Sequence, residues 1–192
     1  MSSILDTIFV REKHVCPWYC CFTFDNVLRK LVHDPARILS GLVAPGHRVM
    51  DIGPGQGYFT IPMARMVGAG GQVACIDIQA KMLSLLKSRA EKAGVGDRVV
   101  CKLVTDTEFG LDSEMDFALT FWMVHEVPDK QKLIQSIYKA LKPNGRLLIA
   151  EPLLHVTKKS LEDVRGIAEA AGFRLVDRPR IFFSRAIVLQ KG

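Results

Sequence analysis

The sequence predicts one α/β domain whose sheet is mostly parallel and carries helices on both faces. The first observation is a short apolar strand, Arg48–Ile52, that runs into three glycines and then into a helical pattern. The second is that this alternation recurs, so that five strand-helix units precede a terminal pair of strands. The third is size: 192 residues with 48% apolar composition suffice for one buried core and are too few for two substantial ones.

The remaining elements follow from local patterns of apolar residues and turn signals. The predicted strands beyond the first are 72–77, 99–104, 115–120, a run that begins after a proline-glycine turn at 143–145, 172–177 and 180–189. The predicted helices are 79–93, the segment from Asp129 to Leu141, and 160–171. The short connection at Arg178-Pro179 makes the last two strands antiparallel, since a parallel return needs a long crossover.

The glycine-rich turn after the first strand predicts a nucleotide-binding loop. Its glycines, at alternate positions, are Gly53, Gly55 and Gly57. Glycine permits positive φ and close approach of a ligand to the backbone, and a helix start offers free N–H groups. In a dinucleotide fingerprint the third glycine would fall on Tyr58, so a pyrophosphate ligand is disfavoured. Asp51, at the strand end, would repel phosphates and attract an amino group.

A second acid, Asp77, ends the second predicted strand. It stands twenty positions after Gly57, about where a strand-end carboxylate meets a ribose. A carboxylate accepts two hydrogen bonds side by side, which suits vicinal hydroxyls. The alternative is an acid that caps the following helix.

Composition limits the partners and the location. The net charge is +6, but the lysines and arginines are scattered, so nucleic-acid binding is permitted without being indicated. Residues 1–10 contain Asp6 and lack a basic region, so we expect no signal peptide, and no apolar run approaches the length of a bilayer span. Five cysteines, an odd number, favour reduced thiols and a cytoplasmic protein.

Residues 1–42 are predicted to form a helical cap segment on a main domain of residues 43–192. Helices are expected after Asp25 and after the Asp34-Pro35 pair. Cysteines and large aromatic residues concentrate between residues 16 and 24. The cysteines there are Cys16, Cys20 and Cys21. Because their spacing fits no structural zinc site, they are interpreted as buried apolar residues. The alternative is that they bind zinc or arsenic. We predict no metal.

The glycine stretch resembles motif I of the class I S-adenosylmethionine-dependent methyltransferases, and the late L-K-P-x-G-x-L run at 141–147 resembles another motif of that family. The resemblance covers about residues 35–192 and implies a Rossmann-like seven-stranded sheet with the last strand antiparallel. It implies S-adenosylmethionine as the cofactor, with Asp106 meeting the adenine amino group and Phe121 near the methyl group. The cofactor-binding residues implied are Asp51, Gly53, Gly55, Gly57, Phe59, Asp77, Ile78, Met82, Asp106, Thr107 and Phe121.

The implied reaction is an in-line methyl transfer to an acceptor that the sequence does not identify. An N-P-P-Y signature is absent, which argues against a nucleobase acceptor, so we expect a small molecule. The catalytic candidates are Tyr19, His125 and Glu151. Glu126 could orient the histidine as its acid, but adjacent residues at a helix start point apart. Many small-molecule methyltransferases of this family carry a lid between the fifth strand and its helix, whereas only residues 152–159 stand there, so the stretch 16–24 is expected to cover the methyl-donating end. The alternative for this stretch is a segment that packs against the outer helices of the sheet. The alternatives are a cofactor-binding module without activity and a nicotinamide-dependent oxidoreductase.

Overall fold

The computed structural model describes residues 32–105, 107, 109–111 and 115–192, and it contains one seven-stranded sheet with the order β3-β2-β1-β4-β5-β7-β6. The strands are β1 Arg48–Ile52, β2 Gln72–Asp77, β3 Val99–Leu103, β4 Met115–Phe121, β5 Leu141–Pro152, β6 Phe173–Asp177 and β7 Ser184–Lys191. The described α-helices are α1 Pro35–Leu39, α2 Thr60–Val67, α3 Ala80–Lys92, α4 Lys130–Ala140 and α5 Lys158–Ala170. Short 3-10 helices lie at Gly96–Arg98 and Val124–Glu126.

The strand directions create a crevice at the middle of the sheet. β1 is parallel to β2 on one side and to β4 on the other, while β7 is antiparallel to both β5 and β6. The chain winds outward from β1 to β3 and then returns to place β4 on the other side of β1. In sheets of this kind ligands bind beyond the carboxyl ends of the strands where the order reverses. The predicted fold class, including the antiparallel last strand, is confirmed.

Two apolar layers bury the faces of the sheet. On one face α4 presents a stripe of fully buried side chains at helical spacing, which contacts buried residues of β1, β4 and β5. On the other face the buried side chains of α2 and α3 pack against the opposite sides of the same strands. The helix starts are stabilised by side-chain caps: the carboxylates of Asp34 and Asp129 and the hydroxyl of Thr157 accept backbone N–H bonds.

Some predicted boundaries were wrong by a few residues. The predicted turn at 143–145 lies inside β5, because Leu141 already pairs with Met115 and the ladder tolerates an irregularity there, with Asn144 at a φ of 63°. β7 starts at Ser184 and not at 180, since Phe183 turns the chain with a φ of 51°. β3 ends one residue earlier than predicted, and α5 starts two residues earlier, where Thr157 caps it.

Residues 32–42 lie against the sheet domain. Leu39 is fully buried in the apolar layer formed with α2. His33 is 2% exposed, and its Nε2 lies 2.7 Å from the carbonyl oxygen of Phe182. The predicted boundary at residue 42 stays a prediction, and the expectations for residues 1–31, which include the cysteine and Tyr19 assignments, fall outside the described residues. No helix in the described part of the chain is long and apolar enough to cross a membrane.

Candidate functional site

A cavity of about 1030 Å³ opens at the carboxyl ends of the central strands. Its walls come from the loops after β1, β2, β3, β4 and β5, so it occupies the crevice that the strand order creates. The sequence-predicted residues that line it are Asp51, Gly53, Gly55, Phe59, Asp77, Ile78, Met82, Thr107, Phe121 and His125. Gly57 and Glu151 do not line it, and Asp106 and Tyr19 lie outside the described residues.

Asp51 is a buried carboxylate that lines the cavity. Its carboxylate is 3% exposed and accepts a hydrogen bond of 2.5 Å from the hydroxyl of Thr60. Thr60 is the first residue of α2, so this bond ties the end of β1 to the helix that follows the glycine loop. A buried carboxylate at a cavity wall favours a ligand that brings a positive charge or hydrogen-bond donors.

The three glycines of the loop all have positive φ, at 67°, 55° and 90°, as the motif requires. Gly53 and Gly55 line the cavity. At Gly57 a Cβ would stand 3.3 Å from the Cγ of Leu86, so this glycine lets the loop pack against α3. Its role is therefore to pack the loop against α3. A Cβ at Gly53 would stand 3.2 Å from the side chain of Met123, whereas nothing lies within 4 Å of a Cβ at Gly55.

Asp77 projects from the end of β2 and is 8% exposed. Its Oδ1 accepts the backbone N–H of Gln79 at 2.9 Å, ahead of α3. Burial raises the pKa of Asp77 to about 6, although the backbone N–H groups of Gln79 and Ile78 oppose the rise. The carboxylate thus pays a desolvation penalty that a hydrogen-bonding ligand would relieve.

Two polar side-chain atoms at the cavity are buried without a hydrogen-bond partner among the described residues: Thr107 Oγ1 and Gln56 Nε2. The Oε1 of Gln56 accepts from Arg89 at 3.2 Å, which fixes the amide. Buried polar atoms are rarely left unpaired, so both indicate where a polar ligand would bind. Thr107 follows β3, on the side of the cavity where the sequence predicts adenine.

Glu151 lies at the end of β5, is 1% exposed, and is saturated by donors from the segment after β4. It accepts the backbone N–H groups of Met123, Val124 and His125 at 3.2, 3.0 and 3.0 Å. His125 Nδ1 lies 2.7 Å from its Oε2. Glu151, a catalytic candidate from the sequence, therefore does not face the cavity itself: its carboxylate caps the 3-10 helix and contacts the cavity-lining imidazole of His125.

Several large apolar side chains also line the cavity. Trp122, Leu153, Leu154 and Phe183 line it, and Leu154 and Phe183 are 82% and 50% exposed. The Nε1–H of Trp122 donates a hydrogen bond to the Ser184 hydroxyl. The backbone φ of Trp122 is 59°, which is unusual for a large residue. These four side chains, the cavity rim, would contact a flat or apolar molecule bound in the cavity.

Sequence reasoning missed several of these residues. Thr60, Gln56, Trp122 and the rim side chains at 153, 154 and 183 were not assigned to the site. Thr60 carried one usable signal, a hydroxyl in the first turn of the helix that follows the glycines. For the rim there was none, because the loops after β5 and before β7 meet only in the folded sheet. Among the described residues, no group of three or more His, Cys, Asp or Glu side chains could hold a metal ion.

Comparisons with known proteins agree with this architecture. A family model described as a methyltransferase domain matches residues 44–173. The ubiquinone/menaquinone biosynthesis C-methyltransferase UbiE of Pectobacterium atrosepticum is 32% identical over 140 residues, which make up 71% of this chain and 53% of that protein. UbiE of Vibrio parahaemolyticus is 30% identical over 135 residues, 70% of this chain and 51% of its own length. The chain therefore spans about half the length of these curated relatives.

The fold is also that of a solved structure. A crystal structure of a SAM dependent methyltransferase from Aquifex aeolicus is similar with a TM-score of 0.84 and 22% identity, over 93% of this chain and 100% of that one. At this identity the likeness speaks for the fold alone. Because the family model covers more than half of the chain, the protein belongs to the methyltransferase domain family, which confirms the family inferred from its glycine loop and late motif.

Proposed function

We propose that this protein is an S-adenosylmethionine-dependent methyltransferase that acts on a small, largely apolar acceptor. The observation that carries the proposal is one cavity lined by the carboxylates of Asp51 and Asp77, on neighbouring strands, and also by the large apolar side chains of Trp122 and Phe183. We assign the part around the two carboxylates, the polar end, to a nucleoside with a charged amino-acid tail. We assign the part around Trp122 and Phe183, the apolar end, to an acceptor that would meet the reactive part of that cofactor.

The residues present fit this cofactor. Asp51 suits the amino group of the methionine portion and Asp77 suits the ribose hydroxyls. The Thr107 hydroxyl, which has no hydrogen-bond partner among the described residues, suits a polar edge of adenine. When bound, the cofactor supplies a methyl group that is already activated by a sulfonium. The protein is then needed mainly to align the acceptor and exclude water, and alignment alone is worth up to roughly 7–11 kcal/mol.

The nature of the acceptor is supported by the cavity and by the relatives. The apolar rim offers few polar groups to a ligand, which favours a molecule with little charge. The UbiE relatives are named as C-methyltransferases of ubiquinone and menaquinone biosynthesis, so an aromatic acceptor of moderate size agrees with both observations. Since this chain spans about half of their length, its acceptor need not be theirs.

Two alternatives from the sequence remain as contrasts for the test. A cofactor-binding module without activity would have no use for an apolar space beside the polar end. A nicotinamide-dependent oxidoreductase would need a glycine where Tyr58 stands, and the Tyr58 hydroxyl instead donates to the carbonyl of His33 at 2.7 Å. Binding of nucleic acid and the cytoplasmic location stay predictions.

Titration calorimetry with S-adenosylhomocysteine, S-adenosylmethionine and NAD tests the cofactor. We expect both sulfur ligands to bind and NAD to bind at least about 100-fold more weakly, because the loop lacks the third glycine of a pyrophosphate site. Labelled S-adenosylmethionine is then incubated with quinols, phenols, amines, thiols, arsenite and tRNA. NAD binding without a response to S-adenosylhomocysteine, or methyl transfer to tRNA alone, would contradict the proposal.

A further inference from the structure

Glu151 and His125 form a pair that the cofactor does not need. The carboxylate is buried at the end of β5, and its three backbone hydrogen bonds fix it against the 3-10 helix at Val124–Glu126. It is 1% exposed, so it can neither turn toward the cavity nor meet an acceptor directly. Its remaining partner is a side chain that does line the cavity, the imidazole of His125, at 2.7 Å.

This contact decides which nitrogen of His125 can accept a proton. A carboxylate is an acceptor, so the imidazole must donate from Nδ1, which leaves the lone pair on Nε2. Within the described part of the chain, Nε2 pairs with Oε1 of Glu126 at 4.0 Å, a distance too long for a hydrogen bond. The arrangement of buried acid, imidazole and cavity is that of a general base held in one tautomer.

We propose that His125 is the general base of this enzyme, and that Glu151 positions it, for an acceptor whose reacting atom carries a proton. The proposal rests on the proposed methyltransferase function. The proton of the acceptor passes to Nε2 of His125 while the electron pair it leaves forms the bond to the methyl carbon. The methyl-sulfur bond breaks with its electron pair staying on sulfur, and the imidazolium then releases the proton to water.

The charges around His125 agree with this role. The hydrogen bond that His125 donates to Glu151 is the main cause that raises the pKa of His125, Glu126 raises it further, and partial burial and Lys130 lower it. His155 lies nearby, with its ring centroid 5.9 Å away, and Asp129 and Lys132 line the same cavity. A raised pKa makes the neutral imidazole a stronger base, and it requires the pH to be above that pKa.

A purely structural role for Glu151 predicts different results. As a helix cap alone, the carboxylate would matter for stability, and replacement of His125 would change little. The two roles separate on His125→Gln, which keeps the carboxylate and its three backbone bonds and removes the base. His47→Gln is the matched control, because His47 precedes β1 at the opposite end of the sheet, where its Nδ1 accepts the backbone N–H of Ala44.

The experiment uses the full chain, S-adenosylmethionine and two sets of probes. Catechol, 1-naphthol and anaerobic 2-methyl-1,4-naphthohydroquinone carry a proton on the reacting group, whereas pyridine and dimethyl sulfide do not. We expect S-adenosylhomocysteine to form with a probe of the first set, and kcat to rise with pH to a plateau. In His125→Gln kcat should fall at least about 100-fold, with S-adenosylhomocysteine affinity within threefold of the wild type, while His47→Gln matches the wild type.

Glu151→Gln supplies the readout specific to positioning. We expect it to lower kcat at least about tenfold and to move the midpoint of the pH profile to lower pH, because the neutral amide no longer raises the pKa of His125. If Glu151→Gln does not fold, the test rests on the kcat of His125→Gln and on the pH profile of kcat in the wild-type enzyme. Transfer to pyridine or dimethyl sulfide only, failure of every hydroxyl probe, or activity of His125→Gln within threefold of wild type overturns the proposal.

Calorimetry keeps the two proposals distinguishable. If the wild-type chain does not bind S-adenosylhomocysteine, the proposed function fails and the base has no reaction to serve. If the wild-type chain binds that ligand and His125→Gln transfers methyl groups normally, the methyltransferase function stands. The roles of His125 as general base and of Glu151 as its positioning residue are then wrong.

Discussion

Replacement of Asp77 by asparagine should make the ligand-free protein more stable while it weakens cofactor binding. Burial raises the pKa of Asp77 to about 6 in the folded protein, against about 3.9 in an unfolded chain. A raised carboxyl pKa means that the protonated form favours folding: its contribution is complete below about pH 4 and is lost as the pH rises through about 6. The ionised form therefore costs roughly 3 kcal/mol at neutral pH. An amide, which never ionises, should recover up to that amount.

The same substitution should reduce affinity for S-adenosylhomocysteine at pH 7.5 by on the order of 10- to 1000-fold. One or two hydrogen bonds to a charged acceptor are lost, each worth about 1.5–3 kcal/mol, and neighbouring losses do not add fully. The wild-type protein should bind about tenfold more weakly at pH 5 than at pH 7.5, because about one carboxyl in ten is ionised one unit below a pKa of about 6. The variant should show no such dependence from Asp77.

Urea unfolding without ligand and calorimetry with S-adenosylhomocysteine, each at pH 5 and pH 7.5, measure both effects. Asp97→Asn is the matched control, since the Asp97 side chain is 68% exposed and the same carboxyl-to-amide change there should alter neither quantity. An Asp77→Asn protein that is no more stable than the wild type at pH 7.5, and that binds the ligand equally well, would refute the assignment of Asp77 as a desolvated ribose acceptor.

Three further predictions concern the frame of the site. Gly57→Ala should lower stability by about 1–2 kcal/mol and also weaken S-adenosylhomocysteine binding. Gly68 also has a positive φ, but nothing lies within 4 Å of a Cβ there, so Gly68→Ala should lower stability alone. Thermal unfolding and calorimetry compare the two variants, and equal binding by both would contradict the packing role of Gly57. Asp116→Ala should cost about 1–3 kcal/mol in urea unfolding, because it removes the carboxylate that accepts the backbone N–H of Arg48 at the start of β1. Deletion of residues 1–24 should leave S-adenosylhomocysteine affinity within a few-fold and abolish methyl transfer; full activity would exclude a cover.

The strand-glycine-helix unit could be predicted because its signals are local. The apolar run of β1, the positive φ of three glycines and the helix that follows all lie within twenty residues, and each is a property of the backbone or of adjacent side chains. Asp51 and Asp77 were found for the same reason: each is a polar residue at the end of a buried strand, and parallel strands bring such ends to one edge of the sheet.

The pair of Glu151 and His125 could not be predicted as a pair. The two residues are 26 positions apart, and they meet because β4 and β5 are neighbours with Phe121 opposite Ala150. The sequence placed Glu126 beside the histidine, but consecutive residues diverge on the 3-10 helix, and Glu126 stays at 4.0 Å from the imidazole. His33 is a more distant case, since its contact with Phe182 spans 149 residues.

Boundaries failed where the backbone departs from regular geometry. The proline-glycine run at 143–145 reads as a turn, yet the ladder between β4 and β5 resumes on both sides of it, so a local irregularity replaced the predicted break. At the start of β7 the apolar pattern continues through Phe182 and Phe183, but these rings, 4.8 Å apart, belong to a turn. Both rings are exposed, and Phe183 also lines the cavity. The apolar pattern in the sequence does not distinguish such exposed turn residues from residues of a strand.

The number of donors around each buried acid separates their functions. A carboxylate has about four acceptor positions. Glu151 fills four, with three backbone N–H groups and one imidazole, so it can influence a reaction only through His125. Among the described residues, Asp77 accepts hydrogen bonds from two backbone N–H groups, those of Ile78 and Gln79, so two acceptor positions remain for a ligand. Vicinal hydroxyls supply two donors side by side, so the saturated acid suits positioning and the unsaturated one suits binding, although both are buried at strand ends of the same sheet.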